Sequence, residues 1–181
     1  MMDEISSHIM DIAINAITAK AKHIEVSVAA DLTKSLLTLF FKDDGIGMDK
    51  DMIKKVQDPF FSTKTGKKVG LGIPLLKGTA ETTGGDFSLT SELGKGVEIH
   101  ASFHLDHPDL PPLGKLKDTI LVLVVGNPDV DFAFKYSVDA REFVFDTTAI
   151  KAILQGMPIN SPEIVKFLIN YLDDHLRNQI D

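Results

Sequence analysis

Residues 43–48 read DDGIGM, an acidic pair followed by two glycines one residue apart. The stretch ends a run of alternating apolar residues. In LTKSLLTLFFK, residues 32–42, Leu37, Leu39 and Phe41 fall on one face, as in a half-buried strand. Gly45 and Gly47 allow backbone geometry and close ligand approach that a Cβ would block. Asp43, just past the apolar strand, offers a carboxylate to a buried donor. Asp-Gly is also a common turn dipeptide, so the stretch alone fits a turn as well as a binding loop. It is not a calcium loop, because the repeated Asp-x-Asp spacing with its closing Glu is missing.

Upstream, HIEVSVAA (residues 23–30) alternates Ile24, Val26 and Val28, and a polar loop then leads into the strand before DDGIGM. The pair predicts a hairpin. Before it, Ile5, Ile9, Ile12, Ala16 and Ala19 recur at the spacing of one buried helical face, predicting a helix over Asp3 to Lys20. His8, Asp11, Asn15 and Thr18 are spaced i, i+3, i+7 and i+10 on the same helix. They form a polar stripe that faces either water or a ligand.

Downstream, a short helix is expected over Lys50 to Gln57, with Met52 and Val56 inward. A long loop follows, DPFFSTKTGKKVGLGIP, and then a helix over Ile73 to Thr83 that Gly84 and Gly85 stop. VGLGIP would set backbone N–H groups at a helix N-terminus, which favours anions, and Lys64, Lys67 and Lys68 would add positive charge. The loop is neither a Walker A sequence nor a dinucleotide fingerprint. Alone, it fits a flexible surface loop equally well. DFSLTSELGKGVEIHASFHL (residues 86–105) reads as two strands around a Gly-Lys-Gly turn.

Prolines between Asp106 and Gly114 predict a linker. Beyond it, TILVLVVGN reads as a buried strand. DFAFKYSVDAREFVFD reads as a hairpin with Phe132, Phe134 and Tyr136 alternating. A helix is expected over Thr147 to Leu154, ending at Gly156. NSPEIVKFLINYLDDHL reads as a last amphipathic helix, capped by Ser161, with Pro162 in its first turn. Its Ile164, Phe167, Leu168, Tyr171 and Leu172 are expected to pack on the preceding hairpin.

The net charge of −7 argues against a nucleic-acid backbone or an anionic membrane as the main partner. There is no Cys, so disulfides, thiolate metal sites and Cys nucleophiles are excluded. Ile120 to Val125 is too short an apolar run to span a bilayer, and MMDEISSH lacks the pattern of a signal peptide. A soluble, cytoplasmic protein is expected. The remaining histidines are scattered without ligand spacing, so no histidine metal site is expected.

Taken in order, these motifs resemble the ATP-binding domain shared by sensor histidine kinases, gyrase-type clamps, Hsp90 chaperones and the MutL mismatch-repair ATPases. DIAINAITAKA is similar to that family's N box, DDGIGM to its G1 box, DPFFSTK to its F box and GLGI to its G2 box. SELGKGVEIHASF is similar to the closing segment of kinase members. The run DPFFSTK…VGLGI is nearest the kinase branch. The ending GNPDVDFAFKY…EFVFDTTAIKAIL resembles, more loosely, stand-alone ATP-binding proteins of this superfamily encoded near iron-only hydrogenase genes.

The resemblance implies an α+β fold: a two-layer α/β sandwich of the histidine-kinase-type (Bergerat) ATPase, with a mixed, mainly antiparallel sheet. It covers about residues 1–105, followed by a linker at 106–117 and a small C-terminal α+β appendage at 118–181. It implies that Asn15 coordinates Mg²⁺ bridging the phosphates of ATP. Asp43 accepts from the adenine amino group, Gly45 and Gly47 let the base approach, and Ile46 and Met48 line its pocket. Lys64, Gly70, Leu71 and Gly72 belong to the lid and phosphate end. Asp11 stands where clamp ATPases carry a Glu as general base, and is one methylene shorter. His8, on the same rigid helix, is expected to be a bystander near that site or in solvent and not a phosphoacceptor. The expected activity is phosphorylation of a separate protein partner, as in two-component signalling. A non-catalytic nucleotide switch and slow ATP hydrolysis with Asp11 as base are the alternatives.

Overall fold

The computed structural model describes residues 4–58, 60 and 71–180. Helix α1 spans Ile5–Thr18, β1 His23–Asp31, β2 Leu36–Asp43, α2 Lys50–Val56, α3 Gly72–Thr82, β3 Phe87–Ser91 and β4 Val97–His104. Then come α4 Leu116–Gly126, β5 Asp131–Val138, β6 Arg141–Asp146, α5 Thr147–Leu154 and α6 Pro162–Leu176. The strands form one mixed sheet in the order β3-β4-β2-β1-β5-β6. Every neighbouring pair is antiparallel except β1 and β5.

Alternation along the strands sorts the sheet into two faces. Ile24, Val26, Val28, Leu37, Leu39, Phe41, Ile99, Phe103, Phe132 and Phe134 are buried together with Ile5, Ile9 and Ile12 of α1. The opposite face is polar, with Lys42 3.6 Å and His100 3.0 Å from the Glu98 carboxylate. Helix α1 packs between α3 and α4, and α4 packs on α6, so the helices form the second layer.

TILVLVVGN is not a strand. It lies in α4, where Thr119, Ile120, Leu123 and Val124 are buried at i, i+1, i+4 and i+5. A helix enclosed by α1 and α6 is apolar on most sides, so its run of branched residues imitates a buried strand. The C-terminal segment extends the same sheet: β5 pairs in parallel with β1, and β6 forms the edge. The proline-rich stretch is tied to α1, since Ile5 N donates to Pro112 O at 3.0 Å and Ser6 N to Leu113 O at 2.9 Å. Ser161 occupies the N-cap position of α6 but makes no cap bond, and its hydroxyl is buried without a partner among the described residues. Tyr171 of α6 does pack against the β5–β6 hairpin, 5.8 Å from the Phe143 ring.

Candidate functional site

The C-terminal end of α1 holds the DDGIGM loop. Ile46 N donates to Ala19 O at 3.0 Å. Asp44 Oδ1 accepts from Lys22 N at 2.7 Å and from His23 N at 2.8 Å, which ties the loop to the start of β1. From the other side the β3–β4 turn straps it down. Met48 N donates to Ser91 Oγ at 2.8 Å, Ser91 Oγ donates to Gly96 O at 2.6 Å, and Gly94 N donates to Ile46 O at 2.8 Å.

Two glycines are dictated by this strap. Gly47 has φ +68° and a Cβ there would lie 2.0 Å from Glu92 O. Gly96 has φ +77° and a Cβ there would lie 1.9 Å from Asp43 O. Gly96→Ala therefore forces both a left-handed Ala and a backbone shift. It should lower stability by about 2 kcal/mol in urea titration, with the disturbance reaching the Asp43 loop.

Asp43 lies beneath this loop with 4% of its surface exposed. Its Oδ1 accepts from Gly45 N at 2.8 Å, and the Val97 N–H also donates to the carboxylate. Burial raises its pKa, the two N–H donors oppose that rise, and the Asp44 charge adds to it. Ile46 beside it is 62% exposed and Met48 is half-buried, so apolar side chains remain open above a buried acceptor.

The middle of α1 faces the start of α3. A Cβ on Gly72 would lie 2.9 Å from Asp11 Cβ and 3.2 Å from Asp11 Oδ2. Gly72 opens α3, with half-buried Leu71 in the N-cap position and no side-chain cap. The first N–H groups of a helix have no partner within it and attract anions. Asn15 lies between the two ends, half-buried, with no side-chain hydrogen bond among the described residues. Asp11 to Ala19 is about 12 Å along the helix axis. One rigid helix thus carries the Asp43 loop at one end and the α3 N-terminus further back, with Asn15 between them.

The stripe expected on α1 is only partly open. Thr18 Oγ1 donates to Ile14 O at 2.8 Å. His8 is 1% exposed, and its Nε2 lies 3.4 Å from Thr79 Oγ1 of α3. Its Nδ1 is buried without a partner among the described residues, and burial lowers its pKa to about 4. It therefore belongs to the α1–α3 contact and is not solvated. Lys64 and Gly70, with Lys67, Lys68 and most of the expected lid, lie outside the described residues. Sequence reading missed Ser91, Gly96 and Asp44 as supports of the loop. The Gly-Lys-Gly turn is the visible signal of Gly96, but in the sequence it reads as an ordinary hairpin connection. Among the described residues no group of three His, Asp or Glu side chains gathers as a metal site.

Residues 2–108 match the family model for "Histidine kinase-, DNA gyrase B-, and HSP90-like ATPase". The chain belongs to that family of ATPase domains. Within it, the similarity runs to sensor kinases. The chain is 36% identical over 88 residues to the sensor kinase CckA of Brucella abortus (strain 2308), covering 45% of this chain and 9% of that protein. It is 32% identical over 94 residues to sporulation kinase C of Bacillus subtilis (strain 168), covering 52% of this chain and 22% of that protein. The match thus spans no more than about a fifth of either relative's length. Among solved structures, the N-terminal domain of a DNA repair protein superposes with a TM-score of 0.59 at 13% identity, over 79% of this chain and 52% of that one. The fold is the mixed-sheet α/β sandwich of these ATPases, and the matched region is an ATP-binding domain of the histidine-kinase type. No described helix is long and apolar enough to cross a membrane.

Proposed function

We propose that the chain binds ATP with magnesium along α1 and transfers the γ-phosphoryl group to a separate protein. The observation that carries this is the placement along one helix of the buried Asp43 loop and the α3 N-terminus, with Asp11 against the latter and Asn15 between the two. Asp43 accepts from the adenine amino group. Gly45 and Gly47 let the loop close against Ala19 and Glu92, which sets its backbone beneath the base, and Ile46 and Met48 cover the base's faces. Leu71 and Gly72 present the first N–H groups of α3 to the phosphates, with Lys64 and Gly70 assigned to the same end from the sequence.

Asn15 offers an amide oxygen with no hydrogen bond among the described residues, a hard oxygen donor that suits Mg²⁺ held through few protein ligands. When bound, that ion supplies charge neutralisation to the phosphates. In the transfer, the acceptor's lone pair attacks the γ-phosphorus and the bond to the bridging oxygen breaks. ADP leaves, and the acceptor's proton passes to Asp11. The test is incubation with γ-labelled ATP and candidate partner proteins. Label should appear on a partner, and Asn15→Ala should weaken magnesium-dependent ATP binding about tenfold. ATP binding without transfer to any partner contradicts the kinase reading.

A nucleotide switch is the second reading, because Asp11 lies directly against the Gly72 backbone and can report the state of the adjoining loop. It predicts partner affinity that differs between ATP and ADP. Hydrolysis with Asp11 as base predicts steady phosphate release that Asp11→Asn abolishes.

A further inference from the structure

We propose that Ser91 is a positioning residue for the base: its hydroxyl holds the Asp43 carboxylate at one angle, and so selects a purine that carries an amino group there. The inference rests on the seating of the ATP base against Asp43. Ser91 is half-buried, ends β3 and pairs with Val97 across the turn. Its Oγ donates to Gly96 O at 2.6 Å and accepts from Met48 N at 2.8 Å.

Gly96 O and Val97 N are the two ends of one peptide unit, and that unit is trans. Its C=O and N–H therefore point in opposite directions from one rigid plane. Ser91 holds the carbonyl end, while the Val97 N–H at the other end donates to the Asp43 carboxylate. Gly96 has φ +77° and no Cβ, and a plane that follows a glycine turns more easily than one that follows any other residue. The side-chain bond supplies the restraint that the glycine lacks. The other donor to the carboxylate, Gly45 N at 2.8 Å, belongs to the Asp43 loop itself, so the Val97 N–H is the brace from across the sheet. Met48 is tied to the same Ser91 oxygen. One hydroxyl thus sets both the acceptor and the apolar wall beside it.

The test compares ATP with ITP, which carries a carbonyl oxygen where adenine has its amino group. Calorimetric titration with magnesium should show the native chain preferring ATP about 100-fold, because a carboxylate facing a carbonyl has no proton to share. In Ser91→Ala the preference should fall to about tenfold, through weaker ATP binding. Ser91→Thr keeps the hydroxyl, and Thr90→Ala lies on the exposed face of the same strand. Both should stay within about twofold of the native ratio. The two nucleotides are measured on the same folded protein, so a loss of fold alone leaves the ratio unchanged. An unchanged ratio in Ser91→Ala, or an equal fall in Ser91→Thr or Thr90→Ala, overturns the proposal and leaves the base on Asp43. A native chain that binds ATP and ITP equally, or binds neither, takes the base off Asp43 and overturns the ATP-site reading as well. Absence of transfer to any partner contradicts the kinase reading without moving these ratios.

Discussion

Asp43→Asn should lower ATP affinity about 100-fold while the fold survives. The carboxylate is 4% exposed and already accepts from the Gly45 and Val97 N–H groups. An Asn that keeps its oxygen on those donors must turn its NH₂ toward the base. A donor then faces the adenine amino group, which is also a donor. Loss of a buried, charge-assisted hydrogen bond of this kind costs about 1.5–3 kcal/mol, and the clash of donors places the effect at the upper end.

The raised pKa of Asp43 adds a pH signature. The acceptor becomes protonated at a higher pH than an ordinary carboxylate, so ATP affinity should fall as pH drops through that raised value. The profile should flatten in Asp43→Asn. Calorimetric titration across pH measures both effects. Equal affinity in the two proteins would remove Asp43 from the site.

The second large effect concerns His8. Folded, it binds a proton only near pH 4, against an ordinary value of 6.5, because charging it would strand a cation between α1 and α3. Between those values the unfolded chain holds more protons than the folded one. Stability is therefore complete above pH 6.5 and falls as pH drops toward 4, by about 3 kcal/mol in total. His8→Phe, which fills the space without titrating, should remove that share of the acid loss. Urea unfolding of both proteins at neutral pH and near pH 4.5 isolates it from the carboxylates they share. Parallel pH dependence would show that His8 does not carry the effect.

The hairpins were legible because a strand's pattern is local. Ile24, Val26 and Val28 alternate against Leu37, Leu39 and Phe41. Phe132, Phe134 and Tyr136 do the same on β5. That β5 would lie beside β1 is a non-local pairing, and no residue in either strand announces it. TILVLVVGN defeated periodicity because a helix buried on several sides loses its polar stripe. His8 was misplaced for a related reason. Its spacing joins it to Asp11, but the α3 surface that covers it is folded in from about 70 residues away in sequence.

The chemistry of the site was more readable than its support. Asp43, Gly45 and Gly47 stand together in sequence, so their joint meaning survives without coordinates. Ser91 and Gly96 act on that loop across the sheet edge, and Gly72 meets Asp11 only after α1 and α3 pack.

The most direct measurement is a crystal structure of the chain with magnesium and a non-hydrolysable ATP analogue. The account predicts the adenine amino group on the Asp43 carboxylate, with the phosphates between Asn15 and the Gly72 N-terminus of α3. An analogue bound elsewhere, or seated with its base away from Asp43, would contradict it.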